Sequence, residues 1–168
     1  KSSQILKSIS STEKNQDVIR LEKAPKIAIY SPKNKQPWDD AVTLALSYAE
    51  IPYDIIYDEE VLNNILPMYD WLHLHHEDFT GQYGKFYASF KNASWYINNK
   101  KQAESEAKNL GFQKVSNLKL EVVKKIRAYI NGGGFLFAMC SATDTYDIAL
   151  ACQGIDICGV MFDGDGID

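Results

Sequence analysis

Cys140 stands at the end of an apolar run, in the stretch GGGFLFAMCSATDT that covers residues 132 to 145. A thiol can be presented as a nucleophile on a sharp turn between a strand and a helix, provided that the residues two before and two after it are small. Ala138 and Ala142 occupy those positions. The positive end of the following helix would favour a thiolate over a thiol. We therefore predict that Cys140 is a catalytic nucleophile, and a buried structural thiol is the alternative.

Hydroxyl and carboxylate side chains follow the cysteine within one turn of that helix, at Ser141, Thr143 and Asp144. Ser141 or Thr143 would cap the helix, and Asp144 would lie in its first turn. Gly81 has no side chain, so its neighbourhood would let backbone amides approach a ligand, although a plain turn explains it equally well. We predict that these four residues bind the ligand, with backbone amides near Gly81 or Ser141 as oxyanion donors.

A histidine cluster supplies the second set of reactive groups, because His73, His75 and His76 are followed directly by Glu77 and Asp78. We predict that His75 or His76 is the catalytic base and that Glu77 belongs to the same site. Two histidines sharing a metal ion with Glu77 or Asp78 form one alternative, and a core histidine at His73 before a solvated acidic loop forms another. Because that ligand set is incomplete, we expect no bound metal ion, and we expect no other cofactor.

The elements that must position these groups alternate along the chain as strands and helices. Short apolar runs predict strands, and apolar residues at helical spacing predict helices. The predicted strands are KIAIY (26–30), PYDIIYD (52–58), YDWLHLHH (69–76) and FLFAM (135–139). Helices are predicted at 38–49 and 116–131, and a polar connection at 58–64 and an exposed helical insertion at 84–111 complete the pattern. This pattern is typical of a doubly wound, flavodoxin-like α/β fold with a mainly parallel sheet.

In a sheet with strand order 2-1-3-4, the strand that ends at His75 lies between the strand ending at Tyr30 and the one ending at Met139. The carboxyl ends of parallel strands meet at one edge, and neighbouring strands are about 4.8 Å apart. We therefore expect His75 or His76 within roughly 10 Å of the Cys140 sulfur, although about 65 residues separate them in the chain.

The helix that ends in glycines, followed by GGFLFAMCSAT, resembles the nucleophile elbow of the class I glutamine amidotransferase-like superfamily, over roughly residues 26–168 by element order. More narrowly, LHLHHEDFTGQYGKF and FAMCSATDTYDIAL resemble bacterial proteins often labelled asparagine synthetase B. The resemblance implies a cysteine-dependent hydrolase or amidotransferase that acts on a small molecule. It also implies export to the periplasm or cell envelope, with the cytoplasm as the alternative. The superfamily's histidine and glutamate come from a later strand, so the pair either follows Asp168 or is absent from a domain that only binds.

Composition favours a single globular domain, with 168 residues of which 45% are apolar and 24% charged. We expect a polar leader or linker at 1–24 and the amidotransferase-like domain at 25–168, incomplete at its C-terminus. The net charge of -4 and the absence of a basic stripe argue against nucleic acid as a partner. No apolar stretch approaches the roughly 20 residues of a membrane span. The three cysteines have neither disulfide-framework nor zinc-site spacing.

An alternative function is a noncatalytic binding or scaffold domain of a cell-envelope assembly. Its interface would be the aromatic insertion together with the tyrosine directly before it. The aromatic residues concerned are Tyr83, Phe86, Tyr87, Phe90, Trp95 and Tyr96. The same side chains could instead pack the insertion onto the domain. The last residues, FDGDGID at 162–168, have calcium-like aspartate spacing, but we expect a mobile acidic tail there.

Overall fold

The computed structural model describes residues 23–32 and 41–168, apart from the side chains of residues 84 and 85. Within these ranges the chain forms a four-stranded sheet in the order β2-β1-β3-β4, and every pair of neighbours is parallel. The strands are β1 (Ile27–Tyr30), β2 (Asp54–Ile56), β3 (Trp71–Leu74) and β4 (Phe135–Ala138). The predicted strand order is therefore confirmed.

Seven helices accompany the sheet in the described part of the chain. They are α1 (Ala41–Tyr48), α2 (Asp58–Leu62), α3 (Gly84–Phe90), α4 (Ser94–Asn109), α5 (Val115–Asn131), α6 (Ser141–Ala151) and α7 (Val160–Asp163). A short 3-10 turn occupies Leu66–Met68. None of the helices among the described residues combines the length and the apolar character that crossing a bilayer requires.

The main core lies between the sheet and α5. Leu118, Val122 and Ile126 recur at helical spacing on α5, and all three are at most 1% exposed. They pack in one cluster with β-strand side chains such as Leu72 and Leu74. Burying an aliphatic side chain of this size contributes about 1.5–3 kcal/mol, so the apolar face of α5 fixes this helix on the sheet.

The opposite face of the sheet carries a smaller cluster, in which Ile27 and Ile29 of β1 pack against Leu46 of α1. At the β4 edge the same face is more open, since Phe135 and Phe137 keep 59% and 39% of their surface exposed. Helices therefore cover both faces, which is compatible with a doubly wound arrangement.

One expectation about connections was wrong, and the helical character predicted for the insertion is confirmed. Residues 58–62, predicted as part of a strand end and a polar connection, form α2. Three acidic residues in its first turn suit the positive helix end, the Tyr57 amide donates to the Glu60 carboxylate at 3.0 Å, and Val61 is fully buried. The insertion is two helices, because the chain is extended at Ala93 (φ -73°, ψ 135°) between α3 and α4.

The aromatic side chains of the insertion pack largely against one another. Trp95 lies 5.2 Å from Phe90 between ring centroids, and Tyr87 lies 5.4 Å from Phe162 near the end of the chain. Ala107 of α4 is 1% exposed and belongs to the main core, so the insertion is joined to the domain.

Residues 162–168, expected as a mobile acidic tail, are held by Lys114. Its ammonium lies within 3.1 Å of carboxylate oxygens of Asp156, Asp163 and Asp165. The Asp168 amide also donates to the Asp156 carbonyl at 2.9 Å. The charge of Lys114 thereby compensates the acidic segment and ties it to the start of α5.

Candidate functional site

A cavity of about 670 Å³ opens at the carboxyl ends of the strands. Residues at or just beyond the ends of β1, β3 and β4 line it, including Tyr30, His75, His76 and Cys140. Its volume falls in the range of small-molecule sites, and its place at the carboxyl edge is where open parallel sheets bind ligands.

Cys140 forms the turn between β4 and α6 in a backbone conformation that few residues other than glycine adopt, with φ 51° and ψ -136°. Strained backbone of this kind costs about 1–3 kcal/mol and clusters at functional sites. Ala142 beneath the turn is fully buried and Ala138 is half-buried, so larger side chains would collide there. Cys140 itself is exposed and lines the cavity, which does not fit a buried structural thiol.

Backbone hydrogen bonds attach this turn to the histidine segment. The Met139 amide donates to the Leu74 carbonyl at 3.0 Å, and the Ala142 amide donates to the His75 carbonyl at 3.3 Å. The Thr145 hydroxyl donates to the Glu77 carbonyl at 2.9 Å. The structure thus brings Cys140, His75 and His76 to one edge of the sheet, as the strand order predicts.

The three histidines differ in environment. His73 is fully buried and stacks on Phe137 at 5.6 Å between ring centroids, so it is a core residue that does not line the cavity. His75 is half-buried and His76 is exposed; their ring centroids are 3.5 Å apart, and both line the cavity. His75 and His76 therefore remain the two candidates for the catalytic base.

Glu77 also lines the cavity, and its carboxylate accepts a hydrogen bond from the His75 amide at 2.7 Å. Asp78 accepts hydrogen bonds from the Thr80 amide and hydroxyl at 2.8 and 2.6 Å. Both carboxylates therefore fix the turn that follows β3.

Side chains that could jointly hold a metal ion are, among the described residues, Asp156, Cys158 and Asp163. Lys114 is ion-paired with both of those aspartates. His75, His76, Glu77 and Asp78 do not form such a group in the described part of the chain.

The four predicted ligand-binding residues divide into two pairs. Gly81 and Ser141 line the cavity, whereas Thr143 and Asp144 are exposed and do not. Gly81 has φ +75°, and a Cβ added there would lie 2.8 Å from the Ser116 amide nitrogen. Glycine is thus required at position 81 for close packing against the start of α5.

The capping prediction for α6 was also wrong. Cys140 is the N-cap residue, and no side chain caps the helix there. The Thr143 hydroxyl donates instead to the Cys140 carbonyl at 2.6 Å. Asp144 lies in the first turn, as predicted.

A buried ionic group on the cavity wall was not predicted from the sequence. The Lys119 ammonium lies 2.7 and 2.9 Å from the Asp58 oxygens, 3.0 Å from the Tyr30 hydroxyl and 3.1 Å from the Tyr57 hydroxyl. The Tyr30 hydroxyl donates to Asp58. Burial opposes the ammonium, but Tyr57 and Asp58 outweigh it and hold the pKa of Lys119 above its ordinary value. A lysine on the otherwise apolar face of α5 was the signal that could have found this group.

Tyr83 is a second residue of the cavity that was not predicted from the sequence. It lines the cavity in a left-handed backbone conformation with φ 52°. Its hydroxyl oxygen is buried and has no hydrogen-bond partner among the described residues. Burial raises the pKa of this phenol well above its ordinary value, so the hydroxyl keeps its proton.

Comparison with known proteins gave no match to a family model, to a curated protein or to a solved structure. The function is therefore inferred from the residues of the cavity itself.

Proposed function

We propose that this chain is a flavodoxin-like domain of the class I glutamine amidotransferase-like type, and that Cys140 forms a covalent acyl intermediate with a small molecule. The observation that carries the proposal is the backbone of Cys140, with φ 51° and ψ -136°, at the mouth of a cavity that His75 and His76 also line. A strained nucleophile turn of this kind exposes the reactive atom between a strand and a helix.

The proposed reaction begins when His75 or His76 accepts the proton of the Cys140 thiol. The thiolate attacks the carbonyl carbon of an amide or ester, and the backbone amide of Ser141 or of Gly81 stabilises the oxyanion. The imidazolium then returns its proton to the leaving amine or alcohol, which leaves a thioester on Cys140. Water releases the acid from that thioester in a hydrolase, and an amine takes the acyl group in a transferase.

Selective alkylation tests the nucleophile, with the other two cysteines as internal references. Cys152 is half-buried at the end of α6 and Cys158 is buried. Iodoacetamide at pH 6.5, followed by mass mapping, should modify Cys140 at least tenfold faster than either of them. Equal labelling of all three thiols, or no labelling of Cys140, would contradict the proposal.

Acyl transfer is tested with p-nitrophenyl acetate, which should leave one acetyl group on the peptide that contains Cys140. Cys140→Ala should abolish this adduct, and Cys152→Ala should preserve it. His75 and His76 are each replaced by glutamine. The substitution that removes the base should lower the acylation rate by about 10²–10⁴-fold. If neither the single substitutions nor the double substitution changes the acylation rate, His75 and His76 are excluded as the base.

A second candidate function is a noncatalytic binding or scaffold domain of a bacterial cell-envelope assembly. The observation in its favour is that Phe86, Phe90 and Trp95 of the insertion keep 43–44% of their surface exposed. Location in the periplasm or cell envelope belongs to the same proposal, and fractionation of the source bacterium tests it. An unreactive Cys140 together with a protein partner that Trp95→Ala releases would favour this function over the first.

A further inference from the structure

We propose that the acyl group which Cys140 takes from its substrate is uncharged and apolar, and that it lies against the rings of Tyr57, Tyr83 and Phe86. This inference deepens the proposed function and rests on it, because the acyl carbon is the atom that the Cys140 thiolate attacks. All four residues line the same cavity of about 670 Å³. A cavity of this size holds a small molecule with several carbon atoms beyond its reacting group.

Lys119 has no capacity left for a carboxylate of the substrate. Its three N–H groups face four oxygen atoms within 3.1 Å, two on Asp58 and two on tyrosine hydroxyls. Asp58 compensates its charge, and only 7% of the Lys119 side chain is exposed. Glu77 and Asp78 also line the cavity, and these two carboxylates would repel an anion. The described part of the cavity therefore disfavours an anionic acyl group.

An ammonium group on the substrate is disfavoured at the aromatic rings. The Lys119 ammonium already lies 4.4 Å from the ring centroid of Tyr57 and 5.4 Å from that of Tyr30. A second cation against Tyr57 would be repelled by the first. The carboxylates of Glu77 and Asp78 would attract a cation to the turn after β3, where both accept hydrogen bonds, and not to the rings.

The three aromatic residues offer ring carbon to a ligand. The Tyr57 hydroxyl is hydrogen-bonded to Lys119 at 3.1 Å, and the hydroxyl oxygen of Tyr83 is buried. Phe86 has no polar atom on its side chain. The rings are therefore the part of these residues that remains for contact with a ligand, and aromatic rings pack well against apolar chains and against other rings.

Aliphatic side chains continue this apolar surface on other elements. Ala103 of α4, Val115 of α5 and Ile148 of α6 line the cavity as well. Phe86 and Ile148 keep 44% and 43% of their surface exposed. An apolar group bound in the cavity would remove part of this surface from water, which favours binding in proportion to the area covered.

Calorimetric titration of the Cys140→Ser protein, which lacks the thiol, tests the inference without turnover. The probes are three amides with the same six-carbon chain: hexanamide, 6-amino-6-oxohexanoate with a terminal carboxylate, and 6-aminohexanamide with a terminal ammonium. We expect hexanamide to bind about tenfold more tightly than either charged amide, because a charged end would lose its hydration without gaining a partner. Butanamide should bind about tenfold more weakly than hexanamide, since each buried methylene adds about fourfold.

Phe86→Ala and Phe90→Ala form a matched pair. Both phenylalanines lie on α3, both rings contact Trp95, and they are exposed to 44% and 43%, but only Phe86 lines the cavity. Phe86→Ala should weaken hexanamide binding about tenfold, because it removes an apolar contact. Phe86→Leu should retain most of the affinity, and Phe90→Ala should leave it unchanged.

Equal affinity for the three six-carbon probes, tighter binding of a charged one, no binding of any, or unchanged hexanamide affinity in Phe86→Ala would overturn the inference. These outcomes are separable from those of the alkylation experiment. A preference for hexanamide with an unreactive Cys140 would contradict the catalytic proposal and support the apolar site. A reactive Cys140 without that preference would contradict the apolar site and leave the catalytic proposal standing.

Discussion

The amide of Ala142 donates a hydrogen bond to the carbonyl oxygen of His75 at 3.3 Å. This contact joins the turn after β4 to the turn after β3, across 67 residues of sequence. It extends beyond the ladder of the two strands, whose last pair is Leu74 with Ala138. The thiol of Cys140 and the imidazole of His75 are therefore carried by two turns that are hydrogen-bonded to each other.

Backbone strain at Cys140 can be measured by comparing Cys140→Gly with Cys140→Ala. We expect the glycine variant to be more stable than the alanine variant by about 1 kcal/mol in urea unfolding, because glycine adopts a positive φ without steric cost. The exposed Ala128 within α5 is the control, where replacement by glycine should destabilise by about 0.5–1 kcal/mol. Equal stability of the two Cys140 variants would argue against a strained turn.

The close packing of Gly81 is tested by Gly81→Ala, with Gly111→Ala as its reference. Both glycines have positive φ, at +75° and +87°, but an added Cβ meets the Ser116 backbone only at Gly81 and nothing within 4 Å at Gly111. Gly111→Ala should cost about 1–2 kcal/mol from backbone strain. Overpacking should make the cost of Gly81→Ala larger than this by about 1–3 kcal/mol. Similar unfolding free energies for the two variants would show that the Ser116 backbone can shift to accommodate the added Cβ without a loss of stability.

Because Lys119 forms a buried ion pair with Asp58, we expect Lys119→Met to lower the free energy of unfolding strongly. The variant leaves the Asp58 carboxylate uncompensated, and we expect a loss of about 3–5 kcal/mol in chemical denaturation. Adding Asp58→Asn should restore part of that loss. Lys124→Met is the control, because the pair of Lys124 with Glu121 is more than a third exposed and is worth at most about 1 kcal/mol. A small effect of Lys119→Met would contradict a large contribution of this ion pair to the free energy of unfolding.

The buried thiol of Cys158 should make the free energy of unfolding depend on pH in the alkaline range. Burial, with the carboxylates of Asp163 and Asp156, raises the pKa of this thiol to about 11. An unfolded thiol ionises near pH 8.5, so between about pH 8.5 and 11 the folded state holds a proton that the unfolded state has lost. The stability that Cys158 contributes should therefore decline as pH rises through that window.

Urea unfolding of the wild-type protein and of Cys158→Ala at intervals from pH 7.5 to 10.5 measures this effect. The difference in unfolding free energy between the two should shrink with rising pH. Cys152→Ala, at a half-buried thiol, serves as the control for removal of a cysteine. A difference that stays constant across the range would contradict the raised pKa of Cys158.

The sequence by itself determined that the sheet is parallel and that a sharp turn stands at Cys140. Apolar runs separated by helices favour parallel neighbours. The order β2-β1-β3-β4 was a hypothesis taken from flavodoxin-like sheets, and the structure has that order. Small residues at 138 and 142 predicted the sharp turn, because the requirement acts over five consecutive residues. The shared edge of Cys140 and His75 followed from these two points.

Only the tertiary structure decided the other wall of the cavity. Lys119 and Asp58 are 61 residues apart, and Tyr30 is 89 residues from Lys119. No local pattern specifies which carboxylate a lysine on an apolar helix face will meet, since that depends on how α2 and α5 pack over the sheet. The buried hydroxyl of Tyr83 depends likewise on the contact of Gly81 with Ser116. Periodicity fixes which face of an element is buried, whereas the partner of each buried polar group is set by packing between elements distant in sequence.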